Sequence, residues 1–217
     1  MALIHQAELR PSKIELLQEW APNQAWFEGS AGASLTSVAS FRFDDPEGEV
    51  GIETIFVTAG DGPAMQIPLT YRGAPLEGGD AWLIGTMQHS VLGRRWVYDA
   101  TGDAAYLAAV VTAALTGVGQ AEQYIAIDGE LVRREPTAVI VASGKHGTPV
   151  PPLPAVGAMS VRHEHGATVV EAGDIRLLIL RVPSRESNDD AALGVLTGAW
   201  TDQPEPQALV IVQVLAN

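Results

Sequence analysis

The feature that most constrains the fold is a series of segments that alternate with a period of two and are separated by short turns. Ala39, Phe41 and Phe43 alternate with Val38, Ser40 and Arg42. The next residues, Asp-Pro-Glu-Gly at 45–48, have the composition of a type I turn, and the chain returns as a second strand at 50–57. Gly60-Asp61-Gly62 then precedes a third alternating segment at 65–72. Strands joined by such short turns pair antiparallel, so the sequence predicts an antiparallel sheet.

The third alternating segment contains Pro68, which has no backbone N–H to donate to a strand ladder. We therefore expect this strand to lie at a sheet edge or to carry a bulge. Further strands are predicted at 3–9, 82–86, 95–98, 138–142, 159–163, 168–171, 175–182, 193–200 and 208–215.

Two helices interrupt the predicted strands. Ser12 and Glu15 have the spacing of a capping box, which predicts a short amphipathic helix that ends near Trp20, before Pro22. The alanine-rich segment 104–116 lies between a capping aspartate, Asp103, and a terminating glycine. Strands with short turns and two helices, without alternating βαβ units, are typical of an α+β fold with a mainly antiparallel sheet.

The whole chain, residues 1–217, is predicted to form one domain. Its C-terminal part, 137–217, is rich in predicted strands. Four prolines between Gly144 and Gly157 mark a long loop, which makes 144–157 a candidate subdomain boundary.

The charge of the chain restricts its partners. The sequence has 13 Lys+Arg against 26 Asp+Glu, a net charge of -13, which repels nucleic acids and anionic membranes. Its longest uncharged stretch, 104–121, is shorter than the roughly 20 apolar residues of a membrane span. Cysteine is absent, and the N-terminus has no signal-peptide pattern. We expect a soluble, cytoplasmic protein with no nucleic-acid or membrane partner.

Sequence motifs for catalysis are missing. Val139 and His146 stand where a phosphate-binding loop around Gly144-Lys145 needs glycine and serine or threonine. The segment 28–32 lacks the first glycine of a nucleophile elbow. None of the five histidines is followed two places later by the aspartate that a protein-kinase-like catalytic loop needs. The sequence therefore favours a protein without catalytic residues and without a cofactor.

Two groups of residues have the composition of a cation site. His163-Glu164-His165 would place two imidazoles on one side of a strand, but a third ligand is not evident, so we expect a solvated hairpin end and no metal. The second group consists of five acidic residues, which can hold a hard cation or act as an acid–base pair. Most of them adjoin the turn at 45–48, which favours a structural role. They are Asp44, Asp45, Glu47, Glu49 and Glu53.

The stretch from Thr70 to Asp99 is the densest in side chains suited to binding a sugar. Arg72 is expected to meet Glu49 or Glu53 across the sheet. The candidate ligand-binding residues are Arg72, His89, Arg94, Asp99, Glu49 and Glu53. The alternative is that the arginines pair with nearby carboxylates and the aromatic residues belong to the core.

Several segments, in this order, resemble one protein family. They are FRFDDP (41–46), GEVGIET (48–54), PLTYRGAPL (68–76), LIGT (83–86) and HSVLGRRWVYD (89–99), preceded by IHQAEL (4–9) and PSK (11–13). Together they look like the N-terminal cap domain of bacterial maltokinases and related glucosamine kinases. The resemblance extends over about residues 1–130 and is weaker in the β-rich tail.

The resemblance implies a strongly curved sheet, similar to cystatin-like folds, that packs on a kinase lobe. In such kinases the catalytic and ATP-binding residues follow the cap, and no kinase motif occurs before Asn217. It therefore implies a stand-alone, non-catalytic accessory protein that acts on a sugar kinase or an α-glucan enzyme in α-glucan or amino-sugar metabolism.

Two other functions remain open at this point. The curved sheet can hold a small sugar or sugar phosphate in a pocket, as a binder or a modest enzyme. The apolar segment 209–215 can pair between chains in a self-assembling module, or else form a central buried strand.

Overall fold

The computed structural model describes residues 2–4, 7–30, 32–45, 47–127, 130–153, 158–164, 166–184 and 191–215. The helices are α1 (Lys13–Trp20) and α2 (Ala104–Thr116). The strands are β1 (Ala2–Ile4), β2 (Leu9–Arg10), β3 (Leu35–Phe43), β4 (Gly51–Ala59), β5 (Met65–Arg72), β6 (Leu83–His89), β7 (Gly93–Asp99), β8 (Gln123–Ile127), β9 (Glu130–Arg134), β10 (Ala138–Ala142), β11 (Met159–Glu164), β12 (Ala167–Ala172), β13 (Ile175–Ser184), β14 (Ala192–Trp200) and β15 (Gln203–Val214). Short 3-10 turns cover Ala21–Asn23, Asp80–Trp82 and Ala100–Gly102.

The strands form two six-stranded sheets and one small sheet. The N-terminal sheet, ordered β2-β6-β7-β5-β4-β3, is antiparallel and strongly curled. The C-terminal sheet, ordered β10-β14-β15-β13-β12-β11, is also antiparallel. In the small sheet, β8 pairs with β1 in parallel and with β9 antiparallel. The α+β class with a curved, mainly antiparallel sheet and two helices is confirmed.

The predicted local signals are present in the structure. Ser12 Oγ accepts the Glu15 N–H at 3.3 Å, and Glu15 Oε2 accepts the Ser12 N–H at 2.7 Å, so the capping box forms. At the turn after β3, the Gly48 N–H donates to the Asp45 carbonyl at 2.9 Å. Asp103 caps α2, and Gly117 ends that helix with a positive φ of 75°. Pro46 lies outside the described residues.

Two predictions about strands are wrong, and one open alternative is decided. The strand predicted at 3–9 is two strands, β1 and β2, which join different sheets. The segment with Pro68 is not an edge strand, because β5 lies between β4 and β7. The β7 ladder pairs only with Leu69–Arg72, so Pro68 lies beyond its end. For the apolar segment 209–215, the alternative of a central buried strand is confirmed, because β15 is paired on both sides by β13 and β14 and is not available to pair between chains.

The N-terminal sheet is covered on both faces. On one face, Leu16 and Leu17 of α1 pack with Ile55, Ile67 and Met87. On the other face, α2 and the C-terminal sheet form the larger core, where the rings of Phe56 and Trp200 stack at 4.3 Å. Because strand residues alternate between faces, each side chain of this sheet belongs to the α1 face or to the α2 face.

The close approach of α2 to β14 gives a first testable prediction. A Cβ atom on Gly194 would lie 2.4 Å from the Ala114 carbonyl oxygen, which is fixed by the helix. A Cβ atom on Gly198, on the same strand face, would first meet the movable Leu209 Cδ1 at 2.7 Å. We expect Gly194→Ala to lower the free energy of unfolding by about 1–3 kcal/mol through overpacking.

The matched control is Gly198→Ala, which we expect to cost less because side-chain tips shift more easily than backbone. Urea unfolding of the two variants measures the difference. Equal losses would contradict the close packing of α2 on β14.

Candidate functional site

A cavity of about 590 Å³ opens on the α1 face of the N-terminal sheet, beyond the first turn of α1. Its charged and polar walls come from α1, the β3–β4 hairpin, β5 and the β6–β7 hairpin. These residues are Lys13, Arg42, Asp44, Asp45, Glu49, Tyr71, His89 and Arg95. Apolar side chains, including Leu9, Val50 and Leu92, complete the lining.

Three of the lining side chains, Lys13, Arg42 and Tyr71, converge on Glu53, which lies beneath them and whose side chain is only 6% exposed. Glu53 Oε2 accepts hydrogen bonds from Lys13 Nζ at 2.5 Å and from the Tyr71 hydroxyl at 2.8 Å. It also forms an ion pair with Arg42 Nη2 at 3.0 Å. The β3–β4 register places Arg42 opposite Glu53, so both side chains lie on the α1 face, where Lys13 begins the helix.

Burial and charge shift the pKa values of this cluster. Burial favours a higher pKa for Glu53, but Arg42 and Lys13 outweigh it and lower the pKa to about 2. Burial lowers the pKa of Lys13, and Arg42 adds to this effect, although Glu53 opposes both. Burial and the Glu53 charge raise the pKa of Tyr71 well above its ordinary value. Glu53 is therefore a carboxylate and Tyr71 a neutral O–H donor at neutral pH.

Arg95 supplies a third cation at the cavity wall. Its Nη2 donates to the Leu92 carbonyl at 2.9 Å, while its Nε is buried and has no acceptor among the described residues. Within the described ranges, Arg95 makes no ion pair. The neighbouring Arg94 points to the opposite face, where its guanidinium lies 5.0 Å from the Trp96 ring centroid.

His89 lines the cavity and also closes the turn between β6 and β7. Its Nδ1 accepts the backbone N–H groups of Val91 at 3.2 Å and Leu92 at 3.1 Å. In the neutral ring the proton therefore resides on Nε2.

Three carboxylates from the turn after β3, those of Asp44, Asp45 and Glu49, also line the cavity, and they differ in role. The Asp45 carboxylate accepts the backbone N–H groups of Glu47, Glu49 and Val50 at 3.1, 3.1 and 2.9 Å, which fixes the turn after β3. Asp44 and Glu49 are exposed at the mouth of the cavity. This agrees with the structural role favoured for the acidic cluster at Asp45.

Arg72 lies away from the cavity. It forms a bidentate pair with Asp103, with Nε–Oδ2 and Nη2–Oδ1 distances of 2.7 Å, and Thr70 Oγ1 donates to the same carboxylate at 2.7 Å. The expected contact with Glu49 or Glu53 is therefore wrong. Register explains this, because Glu53 pairs with Leu69 and shares its face, whereas Arg72 shares the α2 face with Thr70.

Asp99 is also remote from the cavity and is buried where the two large sheets meet. Its Oδ2 accepts from Arg181 Nη2 at 2.5 Å, and its Oδ1 accepts from the Thr101 N–H at 3.1 Å. Arg181 Nε donates to Thr168 Oγ1 at 2.7 Å, and its guanidinium lies 4.4 Å from the Trp26 ring centroid. Asp99 thus ties β7 to the C-terminal sheet.

The structure brings together three of the six candidate residues. Glu49 and His89 line the cavity and Glu53 underlies it, while Arg72, Arg94 and Asp99 lie elsewhere. Sequence reasoning did not identify Lys13, Arg42 and Tyr71 as site residues. For Arg42 the sequence did contain a usable indication. The turn at 45–48 defines the β3–β4 hairpin, and that hairpin places Arg42 opposite Glu53.

At the histidine pair, His163 Nδ1 lies 3.0 Å from Thr168 Oγ1. His165 lies outside the described residues. Among the residues that the structure describes, no group of three or more His, Cys, Asp or Glu side chains is placed to hold a metal ion. No helix in the described part of the chain is long and apolar enough to cross a membrane.

Residues 20–103 match the family model of the maltokinase N-terminal cap domain. We call these residues the cap segment. The segment contains β3 to β7, and therefore the whole N-terminal sheet except β2. The comparison with curated proteins gave no match.

The cap segment carries most of the cavity. Arg42, Glu53, Tyr71, His89 and Arg95 all lie within it, whereas Lys13 belongs to the preceding helix. The maltokinase-cap match is narrower than the resemblance over residues 1–130, since 1–19 and 104–130 lie outside it.

Proposed function

We propose that the chain is a non-catalytic accessory protein that packs, through its cap segment, on a sugar kinase or an α-glucan enzyme. The observation that carries the proposal is the match of residues 20–103 to the maltokinase N-terminal cap domain. The role belongs to α-glucan or amino-sugar metabolism in the cytoplasm.

The tip of the β6–β7 hairpin is the part of the cap segment best suited to contact a partner. Val91 is 57% exposed and Leu92 is 45% exposed there, side by side. Adjacent exposed apolar side chains gain from burial against another protein. A kinase lobe that accepts a cap would cover them.

Association is tested by sedimentation velocity of the purified chain mixed with a maltokinase from which its own cap domain has been removed. We expect a one-to-one complex, and we expect Val91→Asp to weaken it by about tenfold or more because an anionic side chain would be buried. Val139→Asp is the matched control, because Val139 is 58% exposed and lies outside the cap segment.

Two results would count against this proposal. Absence of a complex at micromolar concentrations would contradict an accessory role with this kinase. If Val91→Asp and Val139→Asp weaken the complex equally, the hairpin tip is not the contact surface.

A second candidate function is the binding of a small molecule, which the cavity favours. Its volume of about 590 Å³ lies within the range of ligand sites, and its polar groups converge on an apolar-lined cleft. Binding and partner association are compatible at Val91, which does not line the cavity, whereas Leu92 belongs to both surfaces.

A further inference from the structure

We propose that the cavity binds a phosphate monoester of a small sugar, with the phosphate group held by Lys13, Arg42 and Arg95. This inference rests on the second candidate function, that the cavity takes a small molecule. It specifies the chemical class of that ligand and the residues that recognise it.

The cations at the cavity outnumber the carboxylate that two of them share. Lys13 and Arg42 share Glu53, and Arg95 has no ion-pair partner among the described residues. Lys13, Arg42 and Arg95 together exceed Glu53 by two positive charges, and the lining carboxylate of Asp45 is already held by three backbone N–H groups. This excess matches the charge of about −1.5 to −2 on a phosphate monoester. A carboxylate ligand has one negative charge and would neutralise only one of these two positive charges.

Arg95 lines the cavity with a guanidinium that is not fully satisfied. Its Nε is buried and has no hydrogen-bond acceptor in the part of the chain that the structure describes, and the side chain has no carboxylate partner there. A lining guanidinium without a carboxylate partner favours an anionic ligand, and phosphate oxygens are acceptors whose geometry suits arginine. The side chain is already positioned, because its Nη2 is held by the Leu92 carbonyl.

The charged side chains that line the cavity differ in exposure. Lys13, Arg42 and Arg95 are partly buried, whereas the carboxylate of Glu49 is exposed and forms the rim. Carboxylates at the rim accept hydrogen bonds from hydroxyl groups and repel a second anionic group. The arrangement therefore suits a ligand with one phosphate and several hydroxyls, and it disfavours polyanions such as nucleic acids.

The inference is tested by isothermal titration calorimetry of the wild-type protein with four probes. They are a hexose phosphate, the parent hexose, inorganic phosphate and a hexuronate. We expect the hexose phosphate to bind about tenfold or more tightly than each of the others, because only it satisfies both the cations and the rim. A shifted ³¹P resonance of the hexose phosphate on the wild-type protein gives an independent measurement.

Variants of neighbouring arginines locate the site. Arg95→Gln is expected to weaken hexose phosphate binding by about tenfold or more, because it removes a charge-assisted contact. Arg94→Gln, one residue away on the opposite face, is expected to leave the affinity unchanged. Thermal unfolding of both variants verifies that they fold. The comparison of the four probes uses the wild-type protein and does not depend on the folding of either variant.

The outcomes separate the inference from the function on which it rests. If the parent hexose or the hexuronate binds as tightly as the hexose phosphate, the cavity binds small molecules but the phosphate assignment is wrong. If inorganic phosphate binds equally tightly, the sugar part is wrong. If none of the four probes binds, both the inference and the second candidate function fall.

Discussion

Replacement of Asp99 by alanine is expected to lower the free energy of unfolding by about 3–5 kcal/mol, the usual cost of breaking a buried ion pair. Asp99 is 3% exposed, and its partner Arg181 has a fully buried side chain. The substitution would leave the Arg181 guanidinium charged, without its carboxylate, between the two large sheets. Urea unfolding followed by tryptophan fluorescence measures the loss.

Two further variants make this prediction specific. Glu49→Ala removes an exposed carboxylate from the turn between β3 and β4 and is expected to change stability by less than about 0.5 kcal/mol. The double variant Asp99→Ala/Arg181→Met is expected to recover part of the loss, because an apolar side chain needs no counter-charge. A loss from Asp99→Ala no larger than that from Glu49→Ala would contradict the role of Asp99 in joining the sheets.

The second large effect concerns the acid stability that Glu53 provides. The pKa of Glu53 is lowered from an ordinary 4.5 to about 2 in the folded protein. The unfolded chain therefore binds the proton more tightly, so this group stabilises the fold fully above pH 4.5. The stabilisation is lost as the pH falls through about 2. A shift of this size corresponds to about 3 kcal/mol.

The pH dependence is measured by urea unfolding of the wild type and Glu53→Gln between pH 6 and pH 2. At pH 6 we expect the variant to be less stable, because Lys13 and Arg42 lose their shared carboxylate. The difference should shrink toward pH 2 as the wild-type carboxylate becomes protonated. A difference between the two proteins that does not change with pH would contradict the assignment.

The local parts of this fold could be predicted because their signals lie within a few residues. The capping box of Ser12 and Glu15 and the Asp103 cap of α2 depend on adjacent backbone groups, so sequence spacing alone reveals them. The hairpin β8–β9 was missed, since β9 is exposed along its whole length and has no apolar face to produce an alternating pattern.

The candidate site was harder to predict because its contacts join distant parts of the chain. Lys13 and Glu53 are 40 residues apart, and Asp99 and Arg181 are 82 apart, so neither pair has a local signature. Arg72 shows the same limit, since its partner Asp103 is placed by the contact of the 3-10 turn Ala100–Gly102 with β5. Only the register of β3 with β4 could have linked Arg42 to Glu53 in advance.

The accessory role is tested most directly by the activity of a maltokinase lobe that lacks its own cap domain. Phosphorylation of maltose and the melting temperature of the lobe are measured while the purified chain is added. We expect both to rise and to saturate at one chain per lobe, with Val91→Asp requiring about tenfold more protein. If neither changes in the presence of excess chain, the cap segment does not act as a cap on such a kinase.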